Sequence, residues 1–220
     1  MTNKLKAGMK IPSGLSQIEE YMKKNAGLGE SFDLGVRKLH VRDKKVHVYY
    51  VNGLSNPLLL SRILDELMEV NDDTRSVSAA LEAVVENHIV HQSVAQIYYM
   101  DELIVQVLSG LAVFLVEGEG IGLTVDVREY PGRQPSEPDT EKVVRGSRDG
   151  YVENIIVNTA LTRRRIRDER LRFEIIKIGE RSMTDVAIGY IKDVANPDLV
   201  ATVKEKVSSI KIDGLTMSDK

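Results

Sequence analysis

The chain contains no cysteine among its 220 residues, which excludes disulfide bonds, thiolate metal sites and cysteine nucleophiles together. It also lacks a long apolar run. The longest one, Leu103 to Val116, is interrupted by polar and small residues and is shorter than the roughly 20 apolar residues that a membrane-spanning helix needs. The N-terminus, MTNKLKAGMKIPSG, has lysines without an apolar segment after them, so no secretory signal is predicted. We therefore expect a soluble chain.

An excess of positive charge is absent as well. The formal net charge is −3, which argues against general binding of nucleic acid. The sequence has no GxSxG elbow and no GxxxxGK[ST] loop. The segment GEGIG at Gly118 to Gly122 lies between two predicted strands, which favours a hairpin turn over a dinucleotide loop. His88 and His91 can share a helix face, but a metal site needs a third ligand. We predict no enzymatic activity, no cofactor and no metal.

Residues 1–129 are expected to form a first α/β subdomain. A hairpin is predicted from strands at Ser31–Val41 and Val46–Val51, and Asn56-Pro57 starts a helix with an apolar stripe. Its other expected elements are helices at Leu15–Lys24, Ser78–Asn87 and Asp101–Leu108 and strands at Ser93–Ile97, Leu111–Val116 and Ile121–Glu129. With 42% apolar and 29% charged residues, the composition is that of a folded protein.

Residues 130–145 are predicted to be a linker, with prolines at Pro131, Pro135 and Pro138. Residues 146–220 are expected to form a second α/β subdomain in the order α-β-β-α-β. Its expected elements are a helix at Gly150–Ile166, strands at Leu171–Ile178 and Thr184–Ile191, a helix from Asn196-Pro197 to Ser209 and a closing strand at Ile210–Ile212. The predicted fold class is α/β (α+β), with two small mixed-sheet α/β subdomains joined by a proline-rich linker.

An arginine–glycine turn follows the linker, and two interpretations of it remain open. Arg148 can pair with Glu153, about one helical turn further on, and so clamp the angle between the subdomains. Alternatively, the exposed amides at the start of the helix, with Arg145 close by, can hold a carboxylate or phosphate. The clamp is favoured because the acid that it needs is already present. The candidate residues for either role are Arg133, Arg145, Arg148 and Glu153.

A second arginine cluster begins at the end of the following helix and comprises Arg163, Arg164, Arg165, Arg167, Arg170 and Arg172. Its first four members are the candidates for a contact with a partner or a membrane surface. Cations at a helix C-terminus complement the helix dipole, so a solvated helix end is one interpretation. The other is a contact with an acidic partner subunit or with an anionic membrane surface, at about 1 kcal/mol per basic residue. Nucleic acid is disfavoured, because no aromatic residues alternate with the arginines to stack bases. The sequence does not decide between the first two.

These segments resemble a known family. GRQPSEPDTEKVVRGSRDGYVEN (132–154) and NTALTRRRI (158–166) are similar to the soluble N-terminal part of the A-subunits of GerA-type spore germinant receptors. The similarity runs from about Gly27 to the C-terminus. In receptor subunits the motif RGPRxGF is more frequent. Here Ser147 and Tyr151 stand in place of its proline and phenylalanine, which indicates a separate branch of the family.

The resemblance implies a two-part cytoplasmic region that precedes the membrane helices of a protein in the inner spore membrane. It implies other subunits of a germination membrane complex as partners, homo-oligomerisation through the full-length protein, and a cation-conducting assembly. It supplies no catalytic residues and assigns no chemical role to the matching arginines or to Glu153. The predicted function is support of assembly and gating in that complex. The alternative is a sensor that binds a small anion or metabolite between the two subdomains.

Overall fold

The computed structural model describes residues 8–69, 76–88, 94–131 and 150–213, except for the side chains of 86–88. This part of the chain contains six helices and seven strands. In chain order they are α1 (Leu15–Asn25), β1 (Leu34–Val41), β2 (Lys44–Val51), α2 (Pro57–Glu69), α3 (Val77–His88), β3 (Val94–Ile97), α4 (Met100–Leu108), β4 (Ala112–Val116), β5 (Gly122–Val125), α5 (Ile155–Arg165), β6 (Leu171–Ile178), β7 (Thr184–Ile191) and α6 (Pro197–Ser208).

Five strands form one antiparallel sheet in the order β1-β2-β4-β5-β3, and helices cover both of its faces. Met22 of α1 packs in one core with residues of α4, and Leu67 of α2 packs in the other core with residues of α3. Neighbouring residues of β2 serve opposite cores: Tyr49 faces α1 and α4, and Val48 faces α2 and α3. Successive side chains of a strand point to opposite faces, so the apolar run of β2 can supply both cores.

β6 and β7 form a separate two-stranded antiparallel sheet. α6 packs against β6, and Lys204 of α6 lies 2.6 Å from a carboxylate oxygen of Glu174. α5 lies beside the opposite face of this sheet, the one that carries Phe173 and Ala187. Each face of the small sheet therefore has one helix against it.

The α/β fold class predicted from the sequence is confirmed. Its sheets differ from the mixed ones that were expected, since every described strand pair is antiparallel. For three of these five pairs the reason is that hairpins join β1 to β2, β4 to β5 and β6 to β7, and a short hairpin makes its two strands antiparallel.

Two element boundaries in the C-terminal part also differ from expectation. The helix expected from Gly150 begins at Ile155, because the side chain of Asn154 caps it there. The closing strand expected at 210–212 is not formed within the described residues. That segment instead accepts a backbone hydrogen bond from Glu180, in the turn between β6 and β7.

The expected division into subdomains 1–129 and 146–220 stays a prediction, because most of the linker expected at 130–145 lies outside the described residues. We call the described residues between 8 and 131 the large unit and residues 150–213 the small unit. Within the part of the chain that the structure describes, no helix combines the length and the apolar composition that crossing a membrane requires.

Candidate functional site at the junction of the two units

The loop between α1 and β1 carries the large unit into contact with the small unit. α1 ends at Asn25, and Gly27 follows with a φ of 78°, the left-handed conformation common at helix C-termini. Further along the loop, the N–H of Phe32 donates to the carbonyl of Phe173 in β6 (3.0 Å). The N–H of Phe173 in turn donates to Ser31 Oγ (2.9 Å). The loop thus forms hydrogen bonds with both the N–H and the C=O group of Phe173.

Arg163 of α5 reaches this loop from the small unit. Its Nε donates to Asp33 Oδ2 at 2.7 Å and its Nη2 donates to Asp33 Oδ1 at 3.2 Å, a bidentate arrangement. It also donates to the carbonyls of Asp168 (3.0 Å) and Leu171 (3.1 Å). The guanidinium lies 5.4 Å from the ring centre of Phe173, within the range of a cation–π contact. Both side chains of the ion pair are 1% exposed, so the pair is shielded from water.

Asp33 is held in place by the large unit. Its Oδ1 accepts from Ser31 Oγ at 2.6 Å, and its carbonyl accepts from the N–H of Asn52, just after β2, at 2.7 Å. A buried ion pair adds little net stability, because both charges lose their hydration, but removal of one partner costs about 3–5 kcal/mol. The pair is therefore better suited to specifying how the two units meet than to stabilising them.

A second buried arginine, Arg172 of β6, makes the other half of the contact. Its Nε donates to Glu30 Oε2 at 3.0 Å and its Nη2 donates to the carbonyl of Asn25 at 3.2 Å. Gly27 leaves the room for it, since a β-carbon at that position would lie 2.2 Å from Arg172 Nε. Lys192, just after β7, donates to the same Glu30 oxygen at 3.1 Å. The junction, as we use the term, consists of Glu30, Ser31, Asp33, Arg163 and Arg172.

The carboxyl group of Glu30 has a pKa below its ordinary value. Partial burial raises this pKa, but hydrogen bonds from Lys192 and Arg172 and the charges of both cations lower it by more. Glu30 therefore contributes to stability above its unfolded-state pKa, and the contribution is lost as the pH falls through the lowered pKa.

A cleft of about 840 Å³ lies between α5 and the large unit. Charged groups at its walls come from Arg37 and Glu129. Pro131 and Gly150, the described residues on either side of 132–149, also line it. Its apolar walls are formed by Tyr50, Leu60, Leu64, Ile156, Val157 and Leu161. Such a mixture of apolar surface with a few polar groups is typical of sites for small molecules.

The four arginines predicted to make a surface contact separate in the structure. Arg163 is buried, so its prediction as a surface contact is wrong, because a carboxylate and two backbone carbonyls replace the water around its guanidinium. Arg164, Arg165 and Arg167 are exposed. The Arg164 guanidinium lies 4.6 Å from the ring centre of Tyr130. A surface role for these three arginines stays a prediction.

The arginine–glycine turn lies almost wholly outside the described residues, and with it Arg133, Arg145 and Arg148. Glu153 is described and exposed. Both interpretations of this turn, the clamp and the anion site, therefore stay predictions.

The histidine pair weighed as a metal site also lies outside what the structure describes, which includes neither His91 nor the side chain of His88. Among the residues that the structure does describe, no group of three or more histidine and acidic side chains is arranged to hold a metal ion. In the junction, Glu30 and Asp33 are each engaged by an arginine. This arrangement suits a structural contact better than acid–base chemistry.

Sequence reasoning missed three members of the junction, namely Glu30, Ser31 and Asp33. It assigned Arg172 to the arginine cluster at the end of a helix and not to a buried contact. A signal was present at Arg172, a charged residue inside the apolar strand segment LRFEII. The acidic partner of Arg163 could not be predicted from the sequence. Asp33 and Arg163 are 130 positions apart, and residue spacing does not indicate contacts over such a separation.

The architecture is shared with a solved structure, the N-terminal domain of the A subunit of the Bacillus megaterium spore germinant receptor GerK3. The TM-score is 0.72, and the match covers 94% of this chain and 76% of that chain at 24% sequence identity. This likeness shows that the chain has the fold of such an N-terminal domain.

Comparison of the sequence with known proteins identifies the family to which the chain belongs. The model of the Bacillus/Clostridium GerA spore germination protein family matches residues 20–220, and the chain belongs to this family. It is 52% identical over 202 residues to stage V sporulation protein AF of Bacillus subtilis (strain 168), a match that covers 92% of this chain and 41% of that protein. It is 29% identical over 216 residues to spore germination protein B1 of the same strain, covering 96% of this chain and 43% of that protein.

The chain thus spans less than half the length of these two relatives. The family resemblance carried by the arginine–glycine segment is confirmed. The branch that Ser147 and Tyr151 indicated is that of stage V sporulation protein AF, in agreement with the 52% identity.

Proposed function

We propose that this chain is the N-terminal region of a spore germination membrane protein, on the cytoplasmic side of the inner spore membrane. There it supports assembly with other subunits and the gating of a cation-releasing complex during germination. We propose no enzymatic role and no cofactor for it. Contacts with further copies are made through the full-length protein.

Membership of the GerA family and the two similar spore proteins support a role in germination. The buried pair of Arg163 and Asp33 is the observation that carries the structural half of the proposal. It holds one helix of the small unit against the large unit in a single geometry. A module that passes a change of position from one subunit to another needs such a defined connection, because a loose one would absorb the movement.

The test is cation release from spores that carry Asp33→Asn in the full-length protein. We expect slower cation release after addition of a germinant than from wild-type spores. The comparison is made between spores that hold the same amount of the protein in the membrane fraction. Asp185→Asn is the matched control, because it removes a carboxylate from an exposed pair with Lys177 and should leave release unchanged.

The amount of protein in the membrane fraction separates the two halves of the proposal. If Asp33→Asn reduces that amount together with co-purification of other subunits, the junction supports assembly. If the Asp33→Asn protein is present in the membrane fraction at the wild-type amount and cations are released at the wild-type rate, the proposed part in gating is rejected.

A second candidate function is favoured by the cleft of about 840 Å³ beside α5. In this alternative the chain is a sensor that holds a small anion or metabolite between the two units. Arg37 at the wall of the cleft would supply the positive charge for an anionic group.

A thermal-shift screen tests the sensor with amino acids, sugars, nucleosides and inorganic anions. A ligand at 100 times its Kd stabilises the folded state by about 2.7 kcal/mol, which raises the Tm of a chain of this size by roughly 5–10 °C. Ser61→Trp, which places a large side chain in the cleft, should abolish the shift, and Ser208→Trp on exposed α6 should not. The absence of any shift across the panel would reject the sensor for these ligand classes.

A further inference from the structure

One histidine of the large sheet is buried beneath α1. His47 of β2 is 8% exposed, and it shares a face of the strand with Tyr49, because residues two positions apart point to the same side. Their rings meet edge to face with centres 6.2 Å apart. Leu15 and Ile18 of α1 belong to the same core as Tyr49. The imidazole therefore lies between the large sheet and the N-terminal half of α1.

Four charged groups act on the imidazole, and they are of both signs. Two are cations, Lys38 of β1 and Lys45 of β2, and two are carboxylates, Glu19 of α1 and Glu117 just after β4. Both carboxylates already have partners. Glu19 pairs with Lys38 at 2.6 Å, and Glu117 Oε2 accepts from the N–H of Leu15, the first residue of α1, at 3.4 Å. The groups that act on the imidazole thus also connect α1 to the sheet.

The interior nitrogen of this histidine, Nδ1, has no hydrogen-bond partner among the residues that the structure describes. The neutral imidazole tolerates this position, because its single N–H can be on the other nitrogen. In the imidazolium both nitrogens are donors, and Nδ1–H would then lack an acceptor in the described part of the protein. A buried donor without an acceptor is costly, and more so when the group is charged. The site therefore accepts the neutral ring and disfavours the protonated one.

The pKa of His47 is accordingly below its ordinary value of 6.5. Burial is the largest cause, and the charges of the two lysines lower the pKa further, whereas the charges of the two carboxylates raise it. Because the unfolded chain binds this proton at a higher pH than the folded chain does, the folded state loses stability as the pH falls below about 6.5. The loss is complete once the pH has passed the lowered pKa.

α1 connects this histidine to the junction. Asn25, the last residue of the helix, provides the carbonyl that accepts from Arg172 Nη2 at 3.2 Å. We propose that protonation of His47 shifts the equilibrium toward a state in which α1 is displaced from the large sheet and the imidazolium reaches water. The docking of α1, and with it the position of the carbonyl that Arg172 binds, then depends on pH. This inference does not rest on the proposed function.

Amide hydrogen exchange on the full chain tests the proposal, with rates corrected for the pH dependence of exchange in an unstructured peptide. Between pH 7.5 and pH 5.5, the protection of the amides in the second half of α1 should fall by about tenfold. Two nearby carboxyl groups keep their charge in this range, because the pKa of Glu19 is lowered to about 2 and that of Glu30 is also lowered.

The variant His47→Gln keeps a polar side chain that does not titrate, so its α1 amides should have the same protection at both pH values. His40→Gln is the matched control, because His40 is exposed on β1 and its replacement should leave the wild-type fall unchanged. A fall that persists in His47→Gln, or wild-type protection that is equal at both pH values, would overturn the proposal.

A probe that leaves the histidine in place covers the case in which His47→Gln does not fold. The chain contains no cysteine, so a single introduced thiol reports on its own site. Ile18→Cys places the thiol under α1, and Ile63→Cys places it in the core on the other face of the sheet, and both isoleucines are buried.

The rate of labelling with dithiodipyridine is measured relative to that of the unfolded chain. From pH 7.5 to pH 5.5 this relative rate should rise about tenfold in Ile18→Cys and stay unchanged in Ile63→Cys. Equal changes in both variants would show loss of the whole fold instead of displacement of α1. An unchanged rate in Ile18→Cys would likewise contradict the proposal.

Discussion

Two arginines of the small unit, Arg163 and Arg172, are almost completely buried at the junction, each with an exposed fraction of 1%. A buried guanidinium is tolerated only when carboxylates and carbonyls take the place of water around its donors. Both arginines meet this condition with groups from both units: Asp33 and Glu30 in the large unit and backbone carbonyls in the small one. The chemistry of single residues thus makes the two units depend on each other.

The costs of removing the two partners of the buried pair should not add, because the first removal already leaves the other charge unpaired. We expect Asp33→Ala to lower the free energy of unfolding by about 3–5 kcal/mol, because the Arg163 charge remains buried without a partner. The double variant Asp33→Ala/Arg163→Met should lose less than the sum of the two single variants, and urea denaturation measures all three. Asp185→Ala, which disrupts an exposed pair, should change the free energy by less than about 1 kcal/mol. Strict additivity would show that the two side chains are not coupled.

The lowered pKa of Glu30 predicts a pH dependence with a defined sign. Because the folded-state pKa lies below the unfolded value of about 4.3, the contribution of Glu30 to stability is full at neutral pH and declines below about pH 5. In Glu30→Gln, the free energy of unfolding between pH 7 and pH 3 should therefore fall less steeply than in the wild type. Glu205→Gln, on the exposed surface of α6, is the control and should keep the wild-type slope. Identical slopes in all three proteins would contradict the assignment.

At the scale of elements, the end of α1 decides how the loop reaches β6. The helix ends where Gly27 adopts a positive φ, and Gly29 adopts another two residues later, at 83°. The two glycines differ in their surroundings. A β-carbon at Gly27 would collide with Arg172, whereas a β-carbon at Gly29 would meet nothing within 4 Å.

This difference provides a matched pair of substitutions. Gly29→Ala should cost only the strain of a left-handed alanine, about 1–2 kcal/mol. Gly27→Ala should cost that amount and also displace the guanidinium of Arg172 from Glu30, so its loss of stability should be clearly larger. Thermal unfolding of the two variants measures the difference. Equal losses would indicate that the guanidinium moves aside without cost and that Gly27 serves the backbone alone.

At the scale of the whole molecule, the exposed arginines at the end of α5 form a basic surface next to the cleft. Arg164, Arg165 and Arg167 are charged and exposed on a chain whose formal net charge is −3. The charge is therefore local, and attraction to an anionic surface depends on how this side of the molecule is oriented.

Co-sedimentation with liposomes tests this surface. If it contacts anionic lipid at about 1 kcal/mol per basic residue, replacing the three arginines by glutamine should weaken binding to vesicles with anionic lipid by roughly 100-fold. Replacement of Lys10, Lys44 and Lys45 by glutamine removes the same charge elsewhere and should have a much smaller effect. Binding that is equal for vesicles with and without anionic lipid would reject a membrane contact and leave an acidic partner subunit as the remaining functional interpretation.

Local pattern was sufficient for most of the fold. The alternation and turn residues of 34–51 determine a hairpin, the apolar run AVFLV determines a buried strand, and Asn196-Pro197 determines the start of α6. These features depend on residues only a few positions apart, so the sequence by itself determined them. The sequence motif around Arg145 and Glu153 was likewise sufficient to identify the family.

Only the tertiary structure decided which charged residues lie inside. Arg163 and Arg164 are neighbours in one arginine run, yet the first is buried on Asp33 and the second is exposed beside Tyr130. Their fates differ because successive residues of a helix point about 100° apart, and only one direction meets a carboxylate of the large unit. That carboxylate is 130 positions away in sequence. A charge can be buried only where the folded chain supplies its partner, and this is a property of three-dimensional distance.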